Sequence, residues 1–158
     1  METVARLGHQ SSTEETVLLK ILQLALATFT ALKGFEISQA TLAKLLKLCY
    51  SLNGSKSLNV DMTAKATIRQ ATTALYEFLK PKNEETMENE EDTKQLEESN
   101  TFKNSVLYFK DLCSMMNGEA GQWLGISGVD INFVLELVDS IVGNYGFYFR
   151  KVCFGFNF

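Results

Sequence analysis

Residues 111 to 145 read DLCSMMNGEAGQWLGISGVDINFVLELVDSIVGNY, and the fold class turns on how they divide. Apolar residues recur at three- and four-residue spacing before Met116 and again after Asp130, the period of a helix with one buried face. Between the two runs lie Gly118, Gly121, Gly125 and Gly128, grouped around Trp123, the only tryptophan. Nothing here alternates apolar and polar residues as a half-buried strand does. The glycine-rich segment is therefore a hinge between helices. It is either a binding or catalytic loop, or a corner where one helix hands over to the next.

The residues in the hinge weigh against chemistry. Its glycines match neither the dinucleotide-binding fingerprint nor a phosphate loop, which also needs a lysine and a hydroxyl at its end. Asp111, Glu119, Asp130 and Glu136 flank it. Two facing carboxylates could do acid/base work, but no spacing selects a pair, and exposed helix carboxylates are expected. Trp123 is either an exposed anchor for a partner or a ring that caps the core where the two helices meet. The packed role is the one expected beside a glycine corner.

Working outward, the same period recurs. SSTEETVLLKILQLALATFTALKG, starting at Ser11, has Ser12 and Glu15 at capping-box spacing and Gly34 as a stop. Leu18, Ile21, Leu22, Ala25, Phe29 and Leu32 form one stripe, and Val17, Leu19, Leu24 and Leu26 lie off it, so this helix needs cover on more than one side. A second helix is capped by Ser38, buries Leu42, Leu45, Leu46, Cys49 and Leu52, and ends at Asn53-Gly54. A third, capped by Asp61, buries Ala64, Ile68, Ala71, Leu75 and Phe78 and stops at Pro81, its alanines admitting a close neighbour. The helix before the hinge carries Phe102, Val106, Phe109, Leu112, Cys113 and Met116 on one face and stops at Asn117-Gly118. The helix after it starts near Ser127 or Asp130 and buries Val134, Leu137, Val138 and Ile141.

KNEETMENEEDTKQLEESN, starting at Lys82, has only Met87 and Leu96 as large apolar residues, too few to offset the entropy of ordering, and is expected to be a mobile linker. Outside it, 11 acids face 13 bases, so the folded parts carry little field to attract a phosphate backbone. Lys44, Lys47, Lys65 and Arg69 lack the interleaved aromatics of a nucleic-acid surface, and Arg69 reads as a helix-surface or inter-helix ion-pair residue. Cys49, Cys113 and Cys153, odd in number and widely spaced, suit reduced, packed thiols. With one histidine, His9, neither a histidine triad nor a multi-histidine metal site can be assembled, and no cofactor is indicated. The apolar run from Ile21 to Leu32 is too short for a bilayer span, and a start of Met1-Glu2 followed by Glu14 and Glu15 is unlike a secretory signal. NYGFYFRKVCFGFNF, from Asn144, sets a dense aromatic load beside Arg150 and Lys151 and is expected to associate unless covered.

Two stretches carry a resemblance. LCYSLNGSKSLNVDMTAKATIRQATTALYEFL, with Ala66-Thr67-Ile68-Arg69-Gln70, and YFKDLCSMMNGEAGQWLGISGVDINFVLELVDSIVGNY, with Asp111-Leu112-Cys113, Trp123-Leu124 and Leu135-Glu136-Leu137, resemble consecutive regions of the Mon (monensin-sensitivity) family, kin to the large brefeldin-sensitive Arf exchange factors. The resemblance covers roughly residues 17 to 149. It departs at Gly121-Gln122, where a proline and an aromatic commonly precede the tryptophan, and at the closing KVCFGFNF.

The resemblance implies an all-α, armadillo/HEAT-like helical solenoid fragment. Residues 1–80 would be the end of a dimerisation and cyclophilin-binding region lacking its first helices, 81–100 an acidic disordered linker, and 101–158 the incomplete start of the homology region upstream of a Sec-seven domain. It further implies a non-catalytic scaffold, peripheral on trans-Golgi or endosome membranes. That scaffold would bind Arf or Arf-like small GTPases and a Dopey-type partner, self-associate, and bind no nucleic acid. Arg69, Gln70, Asp111, Trp123 and Glu136 are its structural or interaction candidates. The alternatives are the regulatory N-terminal region of a true Arf exchange factor and a helical regulatory subunit unrelated to trafficking.

Overall fold

A computed structural model describes residues 2–31, 38–77 and 99–153, with side chains assigned over 13–31, 38–77 and 99–146. Gly34, Leu32, Phe78, Pro81, the acidic segment from Lys82 to Glu98 and the aromatic tail beyond Gly146 lie outside what is described, wholly or in their side chains, and so do the expectations placed on them.

Five α-helices and no strand are described: α1 Glu2–Ala31, α2 Gln39–Leu52, α3 Leu58–Glu77, α4 Asn100–Met116 and α5 Ile131–Cys153. The chain is all-α and solenoid-like. α3 is the central element, with α1, α2, α4 and α5 all packed on it. Ala64 and Ala71, at 0% and 3% exposure, supply the close-approach surface that their size suggested. One continuous apolar core runs from Leu22 on α1 to Tyr145 on α5.

Local signals account for both ends of α2 and of α4. Ser38 accepts the Thr41 amide and Ser99 the Phe102 amide, each relieving an orphan donor at a helix start. Asn53 and Asn117 close α2 and α4, and the glycine after each takes a positive φ, +85° at Gly54 and +77° at Gly118.

Two starts differ from expectation. α1 does not begin at Ser12 but at Glu2, because the stretch from Thr3 to Gln10 holds no proline and Gly8 alone weakens the helix there, and the preceding turn supplies the carbonyls that a cap would replace. Glu15, freed from capping, accepts from Asn59 Nδ2 on α3 at 2.8 Å. α3 starts at Leu58, with Ser57 Oγ near the Val60 amide at 3.4 Å. Asp61 sits in its first turn instead, accepting the Gly54 amide at 2.6 Å and pairing with Lys65 at 3.1 Å.

The stripes also shift. On α2, Leu42, Leu46 and Cys49 are buried while Leu45 and Leu52 are half-buried. On α4 the deepest face is Phe102, Asn104, Ser105, Tyr108, Asp111, Leu112 and Met115. Val106, Phe109, Cys113 and Met116, expected beside Phe102 and Leu112, are half-buried. Polar groups lie inward because they find partners there, which removes the cost of burying them. Tyr108 shares a hydroxyl contact with Tyr50 at 2.8 Å and with Thr72 at 3.1 Å, and Tyr76 donates to the Ser105 carbonyl at 2.8 Å. These bonds tie α2, α3 and α4 together through an otherwise apolar interior.

Candidate functional site

The hinge between α4 and α5 is built on Asp111. Its carboxylate, only 2% exposed, accepts the amide of Trp123 at 3.0 Å and that of Leu124 at 2.6 Å. The expectation of an exposed helix carboxylate at Asp111 is thus overturned: the last turns of α4 face the returning chain, which supplies two donors. Gly121 lies against the same carboxylate, where a β-carbon would sit 2.7 Å from Cγ and Oδ2. A side chain there would clash with Asp111 unless that residue shifted, which accounts physically for glycine at this position. The Gly125 amide donates to the Gly121 carbonyl at 2.7 Å and the Gly121 amide to the Ile126 carbonyl at 3.0 Å, closing the loop on itself.

Trp123 is half-buried and packs against the core together with Ile126 and Val129, while Leu124, at 1% exposure, is the most deeply inserted residue of the loop. The geometry is that of a corner. The other flanking carboxylates lie apart from it and from one another in role. Asp130 accepts the Asn132 amide at 3.0 Å at the start of α5, Glu136 pairs with Arg69, and Glu119 is exposed.

Arg69 on α3 bonds through Nη2 to Glu136 Oε2 on α5, so two residues 67 positions apart form one inter-helix pair. The guanidinium also lies 5.0 Å from the centre of the Phe133 ring, and Lys65 Nζ lies 5.9 Å from it. Gln70, next to Arg69, is exposed and joins neither arrangement. Asp111 and Trp123 meet at the corner, Arg69 and Glu136 at the α3–α5 seam. Phe133 under Arg69 and the Tyr50–Tyr108–Thr72 chain were not singled out from sequence, since a lone aromatic or tyrosine carries no periodic signal of its partner.

Burial pushes the Cys49 thiol up to about 11 and raises that of Cys113, so both stay protonated near neutral pH, as packed rather than reactive cysteines do. Among the described residues no group of acidic, histidine and cysteine side chains could hold a metal ion. No described helix is long and apolar enough to cross a membrane. A shallow, uncharged groove of about 580 Å³ runs beside α1, lined by Gln23, Leu26, Ala27, Thr30 and Ala31, and Val17 and Leu24 are 50% and 70% exposed on the same helix.

A helical packing module with a closed corner and exposed apolar helix faces is the class that these features define. The family described as DCB, Mon2/Sec7/BIG1-like, dimerisation and cyclophilin-binding domain, matches residues 2–82, and the chain belongs to that family. It is 28% identical over 148 residues to the Protein MON2 homolog of Homo sapiens, covering 86% of this chain and 8% of the human protein. The Protein MON2 homologs of Schizosaccharomyces pombe and Drosophila melanogaster are 26% and 28% identical, over 92% and 90% of this chain. The chain spans less than a tenth of the length of these relatives. No solved structure matches it.

Proposed function

We propose that this chain is a non-catalytic scaffold of Golgi and endosome vesicle trafficking, held peripherally at the membrane and acting by binding Arf-like GTPases and a Dopey-type partner. The observation that carries this reading is the family match over residues 2–82 together with relatives that are all Protein MON2 homologs. The family description names dimerisation and cyclophilin binding, which supports self-association as part of the same activity. The uncharged groove and exposed apolar residues of α1 lie within the matched region and suit protein contact better than a charged ligand. Residues 101–158 act as the start of the homology region upstream of a Sec-seven domain, with the Asp111–Trp123 corner setting the angle between its helices.

A second reading, the regulatory region of an Arf exchange factor, is favoured by the mention of Sec7 and BIG1 in the family description. An in-frame Sec-seven coding region downstream in the transcript would select it. The test of the leading reading is co-precipitation with Arf-like GTPases loaded with GDP or a non-hydrolysable GTP analogue, beside a nucleic-acid gel-shift. Nucleotide-dependent GTPase capture is expected; binding to nucleic acid alone would overturn the trafficking role.

A further inference from the structure

The chain holds two Asn-Gly pairs, Asn53-Gly54 and Asn117-Gly118, and each closes a helix. Such a pair is chemically labile, because glycine has no β-carbon to shield its amide nitrogen from the neighbouring asparagine carboxamide. Local structure treats the two alike: both glycines take a positive φ, +85° and +77°, just beyond the caps of α2 and α4. Tertiary structure separates them.

At Asn53 the attacking nitrogen is already engaged. The Gly54 amide donates to Asp61 Oδ1 at 2.6 Å, and Asn53 itself is half-buried. A bond to a carboxylate is roughly twice as strong as one between neutral groups. Stripping the proton from that nitrogen would also set a negative charge beside Asp61. The bond from Gly54 and the Lys65 ammonium hold this carboxyl below its ordinary pKa, so it is a poor base for the task. The Gly118 amide donates instead to the neutral Met115 carbonyl at 3.0 Å, and Asn117, Gly118 and Glu119 are all exposed. Turning either asparagine toward its glycine breaks one further backbone bond, Ser55 to Leu52 at 3.2 Å or Glu119 to Ser114 at 3.0 Å, so these costs offset. Freeing the nitrogen is therefore easier at the end of α4, where water can take the proton.

We propose that Asn117 is a site of spontaneous deamidation, and that Asn53, in the same dipeptide, is kept intact by Asp61. The Gly118 nitrogen loses its proton to water and bonds to Asn117 Cγ. The Cγ–Nδ2 bond breaks, and that nitrogen takes up a proton and leaves as ammonia. Water then opens the five-membered imide at either carbonyl, giving aspartate or isoaspartate, with no oxidant or reductant. Either product sets a carboxylate at the C-terminus of α4, the negative end of its dipole. Isoaspartate also lengthens the main chain by one methylene between α4 and the loop held by Asp111. The modification is a slow chemical loosening of the corner, independent of the trafficking role.

The full chain is incubated at mildly alkaline pH and digested, and its peptides are read by mass spectrometry for conversion of amide to acid. Labelling by an isoaspartate methyltransferase separates the two products. Asn117 is expected to convert at least about fivefold faster than Asn53, from the difference between a charged and a neutral acceptor. In denaturing urea the two rates should converge, since only the fold distinguishes the sites. Asp61→Asn, which keeps an acceptor oxygen but removes the charge, should raise the Asn53 rate toward that of Asn117, whereas Lys65→Ala should leave it slow. Asn117→Gln, whose longer side chain cannot close the five-membered ring, should abolish conversion at that position. An Asn117 that stays intact in the folded chain, or equal rates at the two sites before urea is added, would overturn the proposal. So would a difference that persists in urea, or an Asn53 rate unmoved by Asp61→Asn.

Discussion

Gly121 packs so closely against Asp111 that its missing β-carbon would sit 2.7 Å from the carboxylate, and that carboxylate is pinned in place by the Trp123 and Leu124 amides. Neither partner has room to yield. Gly121→Ala should therefore cost about 1–3 kcal/mol as overpacking. Asp111→Ala should cost about 2–4 kcal/mol, because it strands donors in and beside the core. Urea unfolding followed by Trp123 fluorescence measures both. A silent Gly121→Ala would mean that the corner is looser than its geometry.

The tyrosine chain gives an ordered pair of substitutions. Tyr108 contacts both Tyr50 and Thr72 hydroxyls, whereas Tyr50 has Tyr108 alone among the bonds at its hydroxyl. Tyr108→Phe should destabilise by about 1–3 kcal/mol and Tyr50→Phe by about 1 kcal/mol. The reverse order in chemical denaturation would show that Tyr50, not Tyr108, organises the chain.

Alkali should unfold this protein through the same group. Burial pushes Tyr108 up to about 12, and Tyr50 is raised by burial and by its neighbour. An unfolded tyrosine titrates near ~10, so the folded state holds its protons longer. Stability is full below that value and is lost as pH rises from about 10 toward 12. Tyr108→Phe should flatten this dependence in denaturation midpoints taken across the window. An unchanged slope would remove Tyr108 as its source.

Leu46, at 1% exposure, is the deepest leucine of α2, whereas Leu45 is half-buried and Lys44 exposed. Leu46→Asp should abolish folding, Leu45→Asp should weaken it, and Lys44→Asp should be mild, since the penalty of an unpaired carboxylate scales with its loss of water. Circular dichroism of the three variants ranks them. Equal loss from Lys44→Asp and Leu46→Asp would place the core on another face.

Arg69 and Glu136 join α3 to α5 but are 48% and 58% exposed, so solvent screens their attraction. A double-mutant cycle with alanine at both should return a coupling of about 0.2–1 kcal/mol. A larger coupling would show that the pair fixes the angle between the helices as well as joining them.

The sequence by itself determined the helical character of the chain and the places where α2 and α4 stop. Three-four spacing, Ser38, Asn53-Gly54 and Asn117-Gly118 act over a few residues, so their effect is legible without a fold. The family was legible too, because its motifs are local runs in a fixed order. Tertiary structure alone decided which residues became the interior. Ser12 looks like a cap until upstream residues continue the helix through it. Asp111 looks like a surface acid until the returning loop brings two amides to it, and Val138 looks like core until α5 leaves it half-buried. Spacing fixes only an angle around a helix axis. Which angle faces the core depends on partners brought together from distant parts of the chain, as Tyr50, Thr72 and Tyr108 are.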